Sequence, residues 1–240
     1  MHLVFTPVSR PLLLVKGDPT GHFPVRRIYC VGRNYEAHAH EMGVTEKQDP
    51  VFFTKSAETV LPCHEQETPD VMLYPPKTND LHHEVELVVG LNKPVANGTV
   101  EQALDAIYGY AVGLDMTRRD LQGLAKAQSH PWDMAKNFTH SAIIGPMLPL
   151  SEAPAHHFEK SKIWLSVNGH MRQQGHISDM IWSVGEIIAK LSEYDALEAG
   201  DIIFTGTPEG VGAVQAGDLL VACVEGLPLL KVKVNDQPAS

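Results

Sequence analysis

The stretch Glu84-Val85-Glu86-Leu87-Val88-Val89-Gly90-Leu91 reads as a β-strand that begins on two acids and then runs into a core. In a strand, side chains at i and i+2 share a face, so the Glu84 and Glu86 carboxylates lie side by side. Two adjacent anions repel unless solvent or a cation screens them. An isolated Glu-x-Glu is most simply a half-exposed strand with its polar residues outward. Here the apolar run Leu87-Val88-Val89 makes a solvated edge less comfortable and a metal more plausible.

Working outward, further strand signals occur at 28–31, 51–54, 110–114, 163–167, 202–205, 219–224 and 229–234. The run at 163–167 meets Asn168-Gly169, the dipeptide suited to a tight hairpin because both residues tolerate positive φ. Helical spacing predicts short helices at 35–42, 100–107, 117–127 and 181–191, while 61–80, rich in proline and polar residues, reads as loop-rich, forming hairpins or linkers. Strands dominate and helices are interspersed, which predicts a mixed, mostly β architecture rather than a doubly wound parallel sheet. Residues 1–24 read as a short N-terminal appendage and 25–240 as one continuous domain.

Composition bounds the function. The chain has 240 residues, 43% of them hydrophobic and 20% charged, as expected of a soluble globular protein. A formal charge of -10 and the lack of any basic run argue against nucleic acid, whose phosphates need clustered Lys and Arg. The apolar block at 12–15 is too short for a signal-peptide core, and no stretch reaches membrane-spanning length, so a cytoplasmic protein is expected. Cys30, Cys63 and Cys223 are scattered without CxxC spacing, which suggests neither a disulfide framework nor a zinc site.

Asp115, at the end of the strand signal 110–114, supplies a third carboxylate. Three carboxylates with open positions suit a hard divalent cation, Mg²⁺ or Mn²⁺. His38 and Glu41, at i and i+3 of a helical segment, form either a water-activating dyad or a weak surface ion pair, with His40 alongside. Arg119, Gln122 and Lys136 are individually ordinary surface residues; gathered near a metal they can clamp a carboxylate and stabilise an oxyanion. The loop Gly206-Thr207-Pro208-Glu209-Gly210-Val211-Gly212 can present backbone N–H groups to an anion, although a plain β-turn is the default reading. It is not a P-loop, since no Gly-Lys-Ser/Thr follows.

These groups occur in a familiar order. Gly32-Arg33-Asn34-Tyr35 with His38 and Glu41, His82-His83-Glu84-Val85-Glu86-Leu87, and Leu114-Asp115-Met116-Thr117-Arg118-Arg119-Asp120 resemble the fumarylacetoacetate hydrolase family. So do Ala135-Lys136-Asn137-Phe138, Val167-Asn168-Gly169 and the 206–212 loop, so the resemblance spans about 26–234. It implies a mixed β-sheet roll, a homodimer and a divalent metal held by Glu84, Glu86 and Asp115. It further implies that His38 with Glu41 activates water and that Lys136 binds or polarises substrate. Arg33, Arg119, Gln122, Gly206 and Thr207 would line the pocket. Within the family, 23–35 and 131–136 are most similar to acylpyruvases acting on fumarylpyruvate. The expected reaction is cleavage of a C–C bond in a small 2,4-dioxo acid. Decarboxylation of oxaloacetate and isomerisation of an oxo acid are alternatives on the same metal site, and a binding protein is a further one.

Overall fold

The computed structural model describes residues 3–35, 49–153 and 158–237. The His38–Glu41 pair, and most of the helix expected at 35–42, lie outside the described residues.

The strand that opened the sequence reading is central. Val85–Leu91 pairs antiparallel with Ile107–Asp115 and with Ile202–Phe204 in an eight-stranded mixed sheet. Outward on one side follow Ile28–Gly32, parallel to Ile202–Phe204, and then Val51–Lys55. On the other follow Ala142–Ile144 and, parallel to it, Val60–Pro62. Leu148–Pro149 pairs with the far end of Ile107–Asp115. A five-stranded sheet runs in the order His170–His176, Lys162–Val167, Leu219–Val224, Leu230–Asn235, Asp70–Leu73. This is the mostly β, mixed architecture expected.

Strand period divides the interior in two. On Val85–Leu91 the odd positions Val85, Leu87, Val89 and Leu91 enter the larger core, while Val88 joins a second one. Tyr29, Val31, Val112, Leu114, Ile143 and Ile203 join the first, against Ile28, Cys30, Ala111, Ala142, Ile144, Ile202 and Phe204 in the second. The central strands are therefore buried on both faces. That is why Val85–Leu91 is almost continuously apolar after its acids. The hairpin of Leu12–Val15 and Asp18–Pro24 closes the second core with Leu13, Val15 and Phe23.

Several boundaries differ from the sequence expectation. The 61–80 region holds strands at Val60–Pro62 and Asp70–Leu73, both paired parallel to distant strands. Neither alternates in a way that marks it locally; their partners come from elsewhere in the chain. The expected helix at 117–127 begins only at Arg119, because Thr117–Arg118 pairs with Leu81–His83 in a three-stranded sheet completed by Gly212–Val214. The helix expected at 181–191 spans Val184–Tyr194, set by a capping box between Ser183 and Glu186. Asn168 (φ 51°) and Gly169 (φ 79°) make the expected tight turn.

Candidate metal centre

Glu84 stands where the chain leaves the three-stranded sheet, at His83, and enters the eight-stranded one, at Val85. Its carbonyl accepts from Asp115 N–H (2.9 Å), so the end of Ile107–Asp115 lies directly opposite it. Glu84 and Glu86, at i and i+2, share the face of Val88, and Asp115 shares that face from the neighbouring strand. Oxygens of the three carboxylates lie within 4.8 Å of one another, with residue exposures of 6%, 2% and 0%.

Three cations answer them. Lys136, closing the short helix Asp133–Lys136, donates from Nζ to Glu84 Oε2, Asp115 Oδ2 and Thr117 Oγ1, each at 2.7 Å. Arg119 at the start of helix Arg119–Ala127 pairs with Glu84 Oε1, and its Nη1 donates to Gln122 Oε1 at 2.6 Å. Lys55, at the end of Val51–Lys55 and buried, lies 2.7 Å from Asp115 Oδ1. Its geometry gives that oxygen an ion pair but no hydrogen bond, so Asp115 Oδ1 keeps an open lone pair.

Proton affinities follow from this placement. Burial alone would raise the Glu84 carboxyl, but Lys136 and Arg119 outweigh it and hold Glu84 far below the usual carboxylate range. Glu86 goes the other way. Burial, then the Asp115 and Glu84 charges, push it well above normal, with Lys136 and the Gly206 N–H (2.6 Å to Oε2) opposing only weakly. Burial works against the Lys136 ammonium, yet Asp115 and Glu84 keep its pKa above normal. Lys136 is therefore a permanent donor here and unsuited to act as a base.

The site is thus short of positive charge at Glu86 and offers an open oxygen on Asp115. A hard divalent ion, with its preference for carboxylate oxygens, meets both demands, and Mg²⁺ or Mn²⁺ fits this donor set.

The remaining expected residues sort as follows. Arg33, Arg119, Gln122 and Thr207 line the same cavity as the three acids, together with Phe53 and Trp132. Gly206 serves differently from expectation: its N–H is directed at the Glu86 carboxylate itself. Its φ of 102° and the 2.7 Å that a Cβ would leave to Asn34 Cβ explain why glycine stands there.

Sequence reasoning missed three participants. Lys55 is one. Gln173, fully buried on His170–His176, is another: its Nε2 donates to Thr207 Oγ1 (2.8 Å) and Pro208 O (2.9 Å), while its Oε1 accepts from Val85 N–H (3.1 Å). Because Oε1 is an acceptor, His83 Nδ1 carries the proton in their 2.8 Å contact. Lys126, on the cavity wall, is the third. Each looks like an ordinary polar residue in sequence, and the partners of Lys55 and Gln173 come from remote segments.

Comparison with known proteins agrees with this geometry. Residues 27–235 match the family described as "Fumarylacetoacetate (FAA) hydrolase C-terminal". A fumarylpyruvate hydrolase of Ralstonia sp is 43% identical over 184 residues, covering 77% of this chain and 92% of the relative. The mitochondrial oxaloacetate tautomerase of Homo sapiens is 42% identical over 210 residues, covering 88% and 92%. The crystal structure of fumarylpyruvate hydrolase from Pseudomonas aeruginosa in complex with Mn²⁺ and pyruvate superposes with a TM-score of 0.94 at 43% identity, covering 98% of this chain and all of that one. Coverage of nearly the whole chain, and a buried acidic trio at its centre, establish that this chain belongs to the fumarylacetoacetate hydrolase family of enzymes.

Proposed function

We propose that the chain is a divalent-metal-dependent hydrolase of acylpyruvates, with fumarylpyruvate as the preferred substrate, giving fumarate and pyruvate. The observation that carries this reading is the buried trio Glu84, Glu86 and Asp115 with the Lys136 ammonium bonded to two of them. Fumarylpyruvate hydrolases at 43% identity, one with Mn²⁺ and pyruvate bound, support the substrate class.

Glu84, Glu86 and Asp115 would hold Mg²⁺ or Mn²⁺, which would supply Lewis-acid stabilisation for an oxo acid. Around it, Arg119 and Gln122 orient the acid's carboxylate, Arg119 being fixed by Glu84 and by the Gln122 side chain. Thr207 Oγ1 accepts from Gln173 and so directs its own proton away from Gln173, available to a substrate oxygen. Lys136, its three N–H bonds committed to Glu84, Asp115 and Thr117, stabilises negative charge developing in the cavity through its positive charge. His38, with Glu41 as the other member of the expected dyad, takes a proton from water as the water oxygen attacks C4. The C3–C4 bond then breaks, its electron pair passing to the pyruvate enolate, which is protonated on C3 by the proton that His38 took from water.

Replacing Glu84 with alanine is expected to abolish metal-dependent loss of fumarylpyruvate, followed by its absorbance with and without EDTA. Full activity in Glu84→Ala rejects the ligand set. A second reading, oxaloacetate tautomerisation, is favoured by relatives of that name at 42% identity. It needs proton transfer at C3 but no water, so His38→Ala separates the two by impairing hydrolysis more.

A further inference from the structure

The floor of the cavity sets Glu84, Glu86 and Asp115 against Lys136, Arg119 and Lys55. Its wall carries cations instead. Lys126 projects from helix Arg119–Ala127 into the same cavity, half-buried, with Nζ 5.2 Å from the centroid of the Trp132 ring. Arg33 lines the cavity too, its buried Nε without a hydrogen-bond partner among the described residues. A Cβ at Gly32, the residue before it, would lie 3.9 Å from the Trp132 ring, so Arg33 follows directly on a segment that faces the Trp132–Lys126 wall.

Burial, then the Arg119 and Arg33 charges, pull the Lys126 pKa below normal. Among the described residues the carboxylate acting on Lys126 is Glu84, which is already paired with Lys136 and Arg119. A half-buried ammonium that shares its cavity with two guanidiniums has no carboxylate of its own among the described residues. Stacking on Trp132 holds it in place without supplying an anion.

We propose that Lys126, on its Trp132 platform and with Arg33 nearby, is the receptor for a second carboxylate at the far end of the substrate's acyl chain. The site would then select dicarboxylic oxo acids over oxo acids with a neutral tail. This rests on the acylpyruvate reading, which places the 2-oxo acid head at the acidic floor. Fumarylpyruvate is a seven-carbon acid with a carboxylate at each end, so its tail carries the charge that Lys126 lacks.

Calorimetry on the Mn²⁺-loaded protein tests this without turnover, using 2-oxoheptanedioate and 2-oxoheptanoate. These share length and head group and differ only in a terminal carboxylate. The wild type is expected to bind the dianion about 10- to 100-fold more tightly, the range for a hydrogen bond to a charged group. Lys126→Met and Lys126→Gln are expected to lose that preference while binding 2-oxoheptanoate within about threefold of wild type, since a neutral tail makes no charge-assisted bond. Equal binding of both acids to the wild type overturns the receptor, as does a preference that survives in the two variants. Fumarylpyruvate turnover is read separately. Its absence with the preference intact strikes the hydrolase reading and upholds the receptor; its presence without a preference does the reverse.

Discussion

His83 is fully buried, and its protonated Nδ1 is committed to Gln173 while Nε2 has no hydrogen-bond partner among the described residues. Burial takes its pKa from 6.5 down to about 4, the Gln173 bond only partly resisting. A depressed histidine pKa means that the unfolded chain gains a proton first as pH falls. Stability is then fully present above the unfolded value of 6.5 and is lost as pH drops toward 4. The shift predicts a loss of about 2–3 kcal/mol between pH 7 and 4.5. Urea unfolding of metal-free wild type and His83→Gln at both pH values checks it: the wild type should lose that much more than the variant, and parallel losses would refute it. At this scale the acids were legible, because i, i+2 spacing and a strand end place carboxylates without knowledge of the fold. Lys55 was not, since its partners Asp115 and the Lys136 carbonyl lie 60 and more residues further along the chain.

Strands Val85–Leu91 and Ile107–Asp115 set the spacing of the site, and Gly113 sits opposite Glu86 between them. A Cβ at Gly113 would lie 2.5 Å from Val88 Cγ2 and 2.7 Å from Phe204 Cε1, both buried in the second core. Neither neighbour has room to withdraw in a close-packed interior. Gly113→Ala is therefore expected to cost about 1–3 kcal/mol in urea unfolding, the usual range for overpacking. It should also weaken Mn²⁺ binding in calorimetry, because relief requires the strands carrying Glu86 and Asp115 to part. Loss of stability with unchanged Mn²⁺ affinity would show that strand spacing does not govern the trio. The long strands and the Asn168-Gly169 turn were legible because their signals are local. Val60–Pro62 and Asp70–Leu73 were not, because short parallel strands take their identity from distant partners.

For the whole molecule, the sheets come together at the acidic trio. The three-stranded sheet delivers His83, the eight-stranded sheet Glu86 and Asp115, and the five-stranded sheet Gln173. A cation bound there ties these layers in the folded state only, so it stabilises folding by mass action. At Mn²⁺ 100-fold above its dissociation constant the gain is about 2.7 kcal/mol, or roughly 5–10 °C in melting temperature for a chain of this size, reversed by EDTA. Glu86→Gln sharpens the test. It replaces a carboxyl whose ionised form burial, Asp115 and Glu84 oppose, while the amide oxygen can still accept from Gly206 N–H. The metal-free variant should therefore melt at or above the metal-free wild type, and yet gain much less on adding Mn²⁺. If Glu86→Gln instead melts lower without metal and keeps the full Mn²⁺ increment, Glu86 supports the fold and the cation is held without it.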